Sequence, residues 1–321
     1  MKKDECDWSN LSVALSRQSE FSSLFFDCNN MSVKQKQEML KTFVLSLHAE
    51  STGIADAVNY KDHRMLPDSV DLQKILYKSV DAYRYVLAIL NLWGISSSTF
   101  ESALQQKDEF LHYRNFLSKK TWKGEPIVLF DLDDVLAEFR DEFCKFVTQG
   151  SGVFIDPSSN EYYNITTFKN HGLSNENYFR NFVDNHGFLR LGLNSKYFKF
   201  MQALKQEGFW VQILTARPSE NSSCFYDTYS WLYRNSIPAD SVAFAPEKFA
   251  WFANQPNYSV AKCFAVDDSA KHSAEYVKHG VPCLVPQKTY NSEVNGLKDI
   301  IYVKDDDDPL KSSRILIDSL K

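Results

Sequence analysis

The first third of the chain repeats apolar residues at helical spacing. Across residues 34–56, apolar side chains recur every three or four positions, and the same spacing returns across residues 75–90. Segments at 99–116 and, less regularly, at 10–26 predict two further helices. Helices that are apolar along one face pack against one another, so this pattern predicts a small all-α bundle.

The pattern changes at the end of this bundle. The segment KKTWKGEP at 119–126 is polar and contains Gly124 and Pro126, which is typical of a linker. Beyond it, short apolar runs alternate with helical patterns, as in parallel sheets that are covered by helices on both faces. The predicted strands are 127–131, 209–214, 242–245, 261–266 and 281–285, and the predicted helices lie near 195–207, 222–235 and 270–279. We therefore predict an all-α domain at 1–118 and an α/β domain at 127–321.

A long interval without strand pattern follows the first predicted strand. Residues 137–194 are rich in aromatic side chains, and intervals of this length usually have structure of their own. These aromatic residues are Phe139, Phe143, Phe146, Tyr162, Tyr163, Phe168, Tyr178, Phe179, Phe182 and Phe188. We predict a helical cap inserted over the carboxyl ends of the strands, where open α/β sheets bind ligands.

Acidic residues follow two of the predicted strands. Asp131 and Asp133 stand at the end of IVLFD, and Asp267 and Asp268 follow CFAV. Residues two apart on a strand point to the same side, so Asp131 and Asp133 can face one space. Carboxylates held this close repel each other unless one is protonated or a cation lies between them. The four acids therefore predict a divalent cation site, and oxygen ligands favour Mg²⁺.

A hydroxyl group and an ammonium group accompany these acids. Thr215 stands at the strand end in ILTARP, and Lys248 lies in APEKFAWF, between ILTARP and the second acid pair. In this order the chain supplies a nucleophile, donors for a phosphoryl oxygen and a metal that neutralises charge. This set of groups indicates phosphoryl transfer.

The motifs FDLDDVLAEF, ILTARP, Lys248 and VDDS resemble, in the same order, the four motifs of the haloacid dehalogenase superfamily of phosphohydrolases. The resemblance covers roughly residues 127–290. It implies a Rossmann-like parallel sheet, dependence on Mg²⁺ and an aspartyl-phosphate intermediate. Asp131 would attack phosphorus, and Asp133 would protonate the leaving oxygen and then activate the hydrolytic water.

The resemblance also implies roles for the remaining motif residues. Thr215 and Lys248 would hold the phosphoryl oxygens. The ligands of Mg²⁺ would be Asp131, the carbonyl of Asp133, Asp267 and Asp268. Arg217 in TARP is a departure from the motif, and it is expected either to contact the substrate phosphate or to pair with an acid of the cap.

The cap and its exit, HGFLRLGLNSKYFKFMQALKQEGFWVQILTARP, look like those of the 5′(3′)-deoxyribonucleotidases. This resemblance implies a nucleoside 5′-monophosphate as substrate. An aromatic cap fits the stacking of a base, although cap aromatics more often form a core. Two alternatives stay open for the function of the chain. One is a phosphatase for another small phosphate ester or a nucleic-acid 3′ end, and the other is a non-catalytic nucleotide-binding or assembly protein.

The helical part is similar to the all-α nucleoside triphosphate pyrophosphohydrolases of the dimeric dUTPase and MazG type. Those enzymes hold Mg²⁺ with E-x-x-E on one helix and E-x-x-D on the next. Here Glu50 and Asp81 match, but Gly53 and Lys78 replace two of the acids. We predict that the Lys78 ammonium lies beside Glu50 and Asp81 in place of the cation. The bundle would then lack hydrolytic activity and serve homo-oligomer formation or nucleotide binding.

Composition narrows the expected partners. A net charge of −5 over 321 residues gives no overall positive surface, so nucleic acid is not an expected partner. The apolar run YVLAILNLWGI is shorter than the roughly 20 residues of a membrane span, and MKKDECDWSN lacks a signal-peptide core. A cytoplasmic location is therefore expected, and the scattered cysteines, without any C-x-x-C pair, favour reduced thiols.

Several residues near the motifs carry less specific expectations. Asp134 is expected to form a turn or a helix cap rather than to take part in chemistry. Lys262 and Lys271 compete with Lys248 for the role of the buried ammonium. The seven histidines show no ligand spacing, and none of them is assigned a role.

Overall fold

The computed structural model describes residues 10–58, 70–158, 172–256 and 258–321. The chain divides into two compact units, Met1–Gln105 and Gln106–Lys321. No described helix is long and apolar enough to cross a membrane.

The N-terminal unit contains the helices that the apolar spacing predicted. They are α1 (Leu11–Ser23), α2 (Val33–Ala55), α3 (Leu72–Leu92) and the start of α4 (Ser97–Ser118). Side chains cap the starts of α1 and α2, and α2 begins with a capping box in which Ser32 and Gln35 bond to each other's backbone. Leu87 of α3 packs with Ala14 and Leu15 of α1, which gives this unit a core of its own.

The division between the units falls inside α4 rather than in the segment 119–126. The last part of this helix packs on the C-terminal unit through aromatic residues. The ring of Phe110 lies 5.0 Å from that of Tyr229, and the hydroxyl of Tyr113 donates to the carbonyl of Ile237 at 2.8 Å. The sequence pattern marked where helical periodicity ends, whereas the division follows these tertiary contacts.

The C-terminal unit is built on a six-stranded parallel sheet, which confirms the predicted α/β fold class. Its strands are β1 (Ile127–Phe130), β2 (Trp210–Thr215), β3 (Ser241–Phe244), β4 (Cys263–Val266), β5 (Cys283–Pro286) and β6 (Ile300–Val303), in the order β3-β2-β1-β4-β5-β6. The last strand, IIYV, was not predicted, although its apolar run is as long as that of the predicted strand 242–245.

Helices lie between and after the strands. They are α5 (Phe139–Ser151), α6 (Asn175–Asp184), α7 (Ser195–Gln206), α8 (Ser222–Arg234), α9 (Lys248–Ala253), α10 (Ala270–Lys278), α11 (Pro309–Ser312) and α12 (Arg314–Leu320). The helices α5 and α6 and a 3₁₀ turn at Gly187–Arg190 fall within the predicted cap. Three cap aromatics named above, Tyr162, Tyr163 and Phe168, lie outside the described residues.

Aromatic rings form the core of the cap. Phe139 stacks on Phe143 with 5.4 Å between ring centroids, and it stacks on Phe188 at 5.7 Å. Phe182 meets Phe143 edge to face at 5.5 Å. These geometries are those preferred by aromatic pairs, and all four residues are buried. The cap aromatics that the structure describes therefore act mainly as a packed core.

The strand order brings the functional segments to one place. The chain runs from β1 to β2 and β3 on one side, then crosses to β4, β5 and β6 on the other side of β1. The carboxyl ends of β1 and β4 flank the point where the order reverses, and open α/β sheets bind ligands there.

Candidate active site

Three buried carboxylates converge beyond the ends of β1 and β4. Asp131, Asp267 and Asp268 each place an oxygen within 4.8 Å of the others. The backbone N–H of Asp131 donates to the carbonyl of Val266 at 2.9 Å, so the pairing of β1 with β4 continues past the last strand residues. The structure thus brings together three of the four acids that the sequence singled out.

Lys248 is the buried ammonium of this site. It begins α9, and its Nζ lies 2.8 Å from Oδ1 of Asp131 and 2.7 Å from Oδ2 of Asp267. Burial alone would lower the pKa of this lysine, but the two carboxylates outweigh burial and raise it. Lys271, by contrast, pairs with Glu247 at the exposed surface. The structure therefore favours Lys248 over this competitor.

The carboxylates carry more negative charge than Lys248 balances. Burial raises the pKa of Asp131, and the Lys248 ammonium only partly offsets that effect. The pKa of Asp268 is raised well above its usual value by burial and then by the neighbouring charges of Asp134, Asp131 and Asp267. Such a site is stabilised by a cation placed between the acids.

Two carboxylate oxygens are available to such a cation. Among the described residues, no hydrogen bond or ion pair reaches Oδ2 of Asp131 or Oδ1 of Asp268. Both oxygens of Asp267 are engaged, by Lys248 and by the backbone N–H of Ser269. The donor set of oxygens alone fits a hard divalent cation held by Asp131 and Asp268, while Asp267 orients Lys248.

Asp133 is held by Arg217. The guanidinium bonds both carboxylate oxygens, with 2.6 Å from Nη2 to Oδ1 and 2.9 Å from Nε to Oδ2. Arg217 also donates to Oγ1 of Thr228 at 3.1 Å, and its Cζ lies 4.1 Å from the centroid of the Phe188 ring. The partner of Arg217 is therefore Asp133 itself, rather than an acid of the cap.

A small cavity lies between these groups and the cap. Its volume is about 90 Å³, which equals roughly three water molecules at about 30 Å³ each. The described residues that line it are Asp131, Asp133, Asp134, Phe139, Phe179, Phe188, Ala216, Arg217, Lys248, Asp268, Ser269 and His272. Thr215 is fully buried outside this lining, and its Oγ1 accepts from the backbone N–H of Arg217 at 3.3 Å. The cavity therefore brings Asp131, Lys248 and Asp268 to one small space.

Asp134 forms a turn and caps a helix, as expected. Its backbone is left-handed, with φ of 57°, and its Oδ1 accepts from the N–H of Arg140 at the start of α5 at 2.8 Å. Tyr290 reaches the same acids, and its hydroxyl donates to Oδ2 of Asp268 at 2.5 Å. Sequence reasoning missed this tyrosine, because it lies in the loop after β5, far from the motifs.

His272 and Ser269 also line the cavity without having been singled out. Both lie at the start of α10, directly after the acid pair. The spacing of His272, four residues after Asp268 on a helix that begins at the site, is the signal that could have identified it.

The predicted N-terminal site is a separate cluster. Nζ of Lys78 lies 2.8 Å from Oε2 of Glu50, and the pKa of Lys78 is raised by that hydrogen bond and charge, with a smaller effect of Asp81. A Cβ at Gly53 would lie 3.0 Å from Cδ of Lys78, so glycine leaves room for the lysine stem. The structure thus places the ammonium beside Glu50 and near Asp81.

Comparison with known proteins adds structural neighbours only. No protein-family model and no curated protein matches the sequence. A predicted phosphatase from Clostridium acetobutylicum is 16% identical, with 60% of this chain and 99% of that chain covered and a TM-score of 0.46. A haloacid dehalogenase-family hydrolase from Deinococcus radiodurans, with bound phosphate and sodium, is 13% identical over 61% of this chain and 96% of that chain, at a TM-score of 0.45.

A third neighbour is a haloacid dehalogenase-like hydrolase from Streptococcus pneumoniae. It is 13% identical, covers 60% of this chain and 99% of that chain, and has a TM-score of 0.42. Two of these neighbours are thus described as haloacid dehalogenase-type hydrolases and one as a predicted phosphatase, all at low sequence identity. Identities this low carry neither a substrate nor a cofactor over to this chain.

Replacing Arg217 tests how strongly it holds Asp133. We expect Arg217→Met to lower the free energy of unfolding by about 2 kcal/mol, because a partly buried carboxylate loses two charge-assisted hydrogen bonds. Urea unfolding measures the change. Arg234→Met is the matched control, since Arg234 pairs with Glu109 at a more exposed position and should cost at most about 1 kcal/mol. If both variants lose the same free energy of unfolding, the Arg217–Asp133 pair contributes no more than the exposed Arg234–Glu109 pair, which contradicts the prediction.

Proposed function

We propose that the C-terminal unit is a Mg²⁺-dependent phosphohydrolase that cleaves phosphate monoesters through an aspartyl-phosphate on Asp131. One observation carries this proposal. The Asp131 carboxylate lines a cavity of about 90 Å³ together with the Lys248 ammonium and the Asp268 carboxylate, at the switch point of a parallel sheet. Phosphoryl transfer needs a nucleophile, a positively charged group and carboxylates that can bind a cation.

The side chains divide the reaction into two displacements. An oxygen of Asp131 bonds to phosphorus while the ester P–O bond breaks, and Asp133, after leaving Arg217 and taking up a proton from solvent, gives that proton to the departing alcohol oxygen. Asp133 then takes a proton from water, whose oxygen bonds to phosphorus and releases Asp131. Lys248 balances charge on the phosphoryl oxygens. Mg²⁺, when held by Asp131 and Asp268, supplies further neutralisation of the phosphoryl charge.

The residues that surround the phosphoryl cavity bear on the substrate class. Resemblance to the deoxyribonucleotidases supports a nucleoside 5′-monophosphate, in which case the nucleoside lies outside the small cavity. A second cavity of about 390 Å³ shares the Asp134 side chain with the first. Its described lining is mostly polar and includes Glu138, Asn194 and Lys288. This lining favours the second candidate, a phosphate ester of a small hydroxylated alcohol such as a sugar.

A panel of esters separates the two candidates. Phosphate release is measured with dUMP, dTMP, dCMP, sugar monophosphates and a 3′-phosphorylated oligonucleotide, with Mg²⁺ and with a chelator. Preference for the mononucleotides supports the first candidate, and preference for sugar phosphates supports the second. Preference for the oligonucleotide supports a nucleic-acid end as substrate. Absence of metal-dependent phosphate release from every ester would overturn the proposed function.

The N-terminal unit is proposed to lack pyrophosphohydrolase activity. Lys78 occupies the space beside Glu50 where a metal ion would otherwise balance the acids. We expect the full chain carrying Asp131→Asn, which removes the phosphatase reaction, to release no pyrophosphate from dUTP or dCTP in the presence of Mg²⁺. A coupled pyrophosphate assay measures this. Metal-dependent release that persists in the variant, and is lost in a further Glu50→Gln variant, would refute the prediction.

A further inference from the structure

His272 is a buried polar residue of the phosphoryl cavity that has no assigned role. It lies on the first turn of α10, lines the same cavity as Asp131 and Lys248, and is 9% exposed. Its Nδ1 is buried and has no hydrogen-bond partner among the described residues. Buried polar atoms in native proteins are nearly always paired, so the unpaired Nδ1 of a side chain that lines the cavity indicates that a partner of this imidazole is missing.

Hydrogen bonds tie the first turn of α10, which carries His272, to the acid pair. The backbone N–H of His272 donates to Oγ of Ser269, the N-cap residue, at 3.4 Å. Ser269 in turn donates its N–H to Oδ1 of Asp267 at 2.9 Å, and Oγ of Ser273 donates to the Asp267 carbonyl at 3.1 Å. The first turn of the helix is therefore tied to the acid pair, and the low exposure of His272 keeps its imidazole largely out of solvent.

The charge state of the ring suits an anionic ligand beside a lysine. Burial and then the positive charge of Lys248 lower the pKa of His272 to about 4. At neutral pH the ring is uncharged, with one nitrogen that donates and one that accepts. An uncharged donor adds a hydrogen bond to a phosphoryl oxygen without repelling the Lys248 ammonium.

A place for such a donor is open in this site. Thr215, the hydroxyl expected to hold a phosphoryl oxygen, is not among the described residues that line the cavity. We propose that His272 binds the transferred phosphoryl group, with a ring N–H donating to one of its non-bridging oxygens. This inference rests on the proposed phosphohydrolase function and adds a residue to it.

The kinetic test compares two substitutions on two kinds of ester. His272→Ala should lower kcat about 100-fold, the usual cost of removing one donor to a developing oxyanion. The loss should be equal for an aryl phosphate and an alkyl phosphate, because the bond is to a non-bridging oxygen. His272→Gln, whose amide can donate, should recover part of the rate. His279→Ala is the matched control, since His279 stacks on Phe249 at the other end of α10 and should leave kcat unchanged.

Two kinetic results would overturn the inference. An unchanged kcat in His272→Ala shows that the ring makes no contact that matters in the transition state. A loss confined to the alkyl ester places the ring on the leaving oxygen instead. A purely structural role would lower the unfolding temperature of His272→Ala and His272→Gln alike, without partial recovery of kcat by glutamine.

A binding experiment separates this inference from the proposed function. The full chain is labelled with ¹⁵N histidine, and the ring nitrogen signals are followed as inorganic phosphate or fluoroberyllate is added with Mg²⁺. His272→Ala identifies the signal of His272. A shift of that signal in a protein that hydrolyses no ester supports the inference and overturns the function. Hydrolysis without any shift overturns the inference alone, and absence of both overturns both.

Discussion

Asp131→Asn is expected to lower phosphate release by about 10⁵-fold or more. Removing the nucleophile of a covalent mechanism costs far more than removing a group that only orients or neutralises, and losses near 10⁶-fold are known for such residues. Asparagine has nearly the same shape as aspartate, so the cavity and the fold should be retained. What is lost is the negative oxygen that bonds to phosphorus. Steady-state phosphate release with the best ester of the panel measures the effect.

The control for this variant is a second change from aspartate to asparagine. Asp306 lies at the exposed surface after β6, and Asp306→Asn should leave the rate within about twofold of the unchanged protein. Unfolding curves verify that both variants are folded. Retention of more than a tenth of the rate in Asp131→Asn would place the reacting group elsewhere in the chain.

Lys248→Met is expected to lower both the rate and the free energy of unfolding. The lysine is 1% exposed and lies between two buried carboxylates, so methionine leaves Asp131 and Asp267 without their positive partner. Removing one partner of a buried ion pair typically costs about 3–5 kcal/mol. The rate falls as well, because the phosphoryl oxygens lose their ammonium.

A surface lysine provides the comparison. Lys271→Met removes an exposed ion pair with Glu247 and should change the free energy of unfolding by at most about 1 kcal/mol. Denaturant unfolding of the two variants, with and without Mg²⁺, measures the difference. Similar effects of Lys248→Met and Lys271→Met on stability would show that the buried ammonium is not what balances the acids.

The chain order of strand, acid and helix could be predicted because it is local. An apolar run that ends in aspartates is visible in a few letters, and parallel strands bring such ends to one edge. Asp131, Asp267 and Asp268 were therefore placed correctly beside one another. The strand β6 was missed, although its apolar run is as long as that of the predicted strand 242–245.

Contacts between distant segments could not be predicted in the same way. The bond of Arg217 to Asp133 joins residues 84 positions apart, and nothing in either motif states that the two side chains meet. Tyr290 reaches Asp268 from a loop. His272 stood among seven histidines without a ligand pattern, and its position four residues after Asp268 was the local signal that could have distinguished it.

The lysine beside Glu50 has a consequence for how the two units respond to their surroundings. An ammonium attached to the chain is present at every moment, whereas a bound ion exchanges with the solution and follows its concentration. We expect a bundle in which Lys78 takes the place of the ion to be independent of the supply of free magnesium in the cell. The catalytic unit proposed here would depend on magnesium. One polypeptide would then combine a unit whose activity requires the ion with a unit that does not require it.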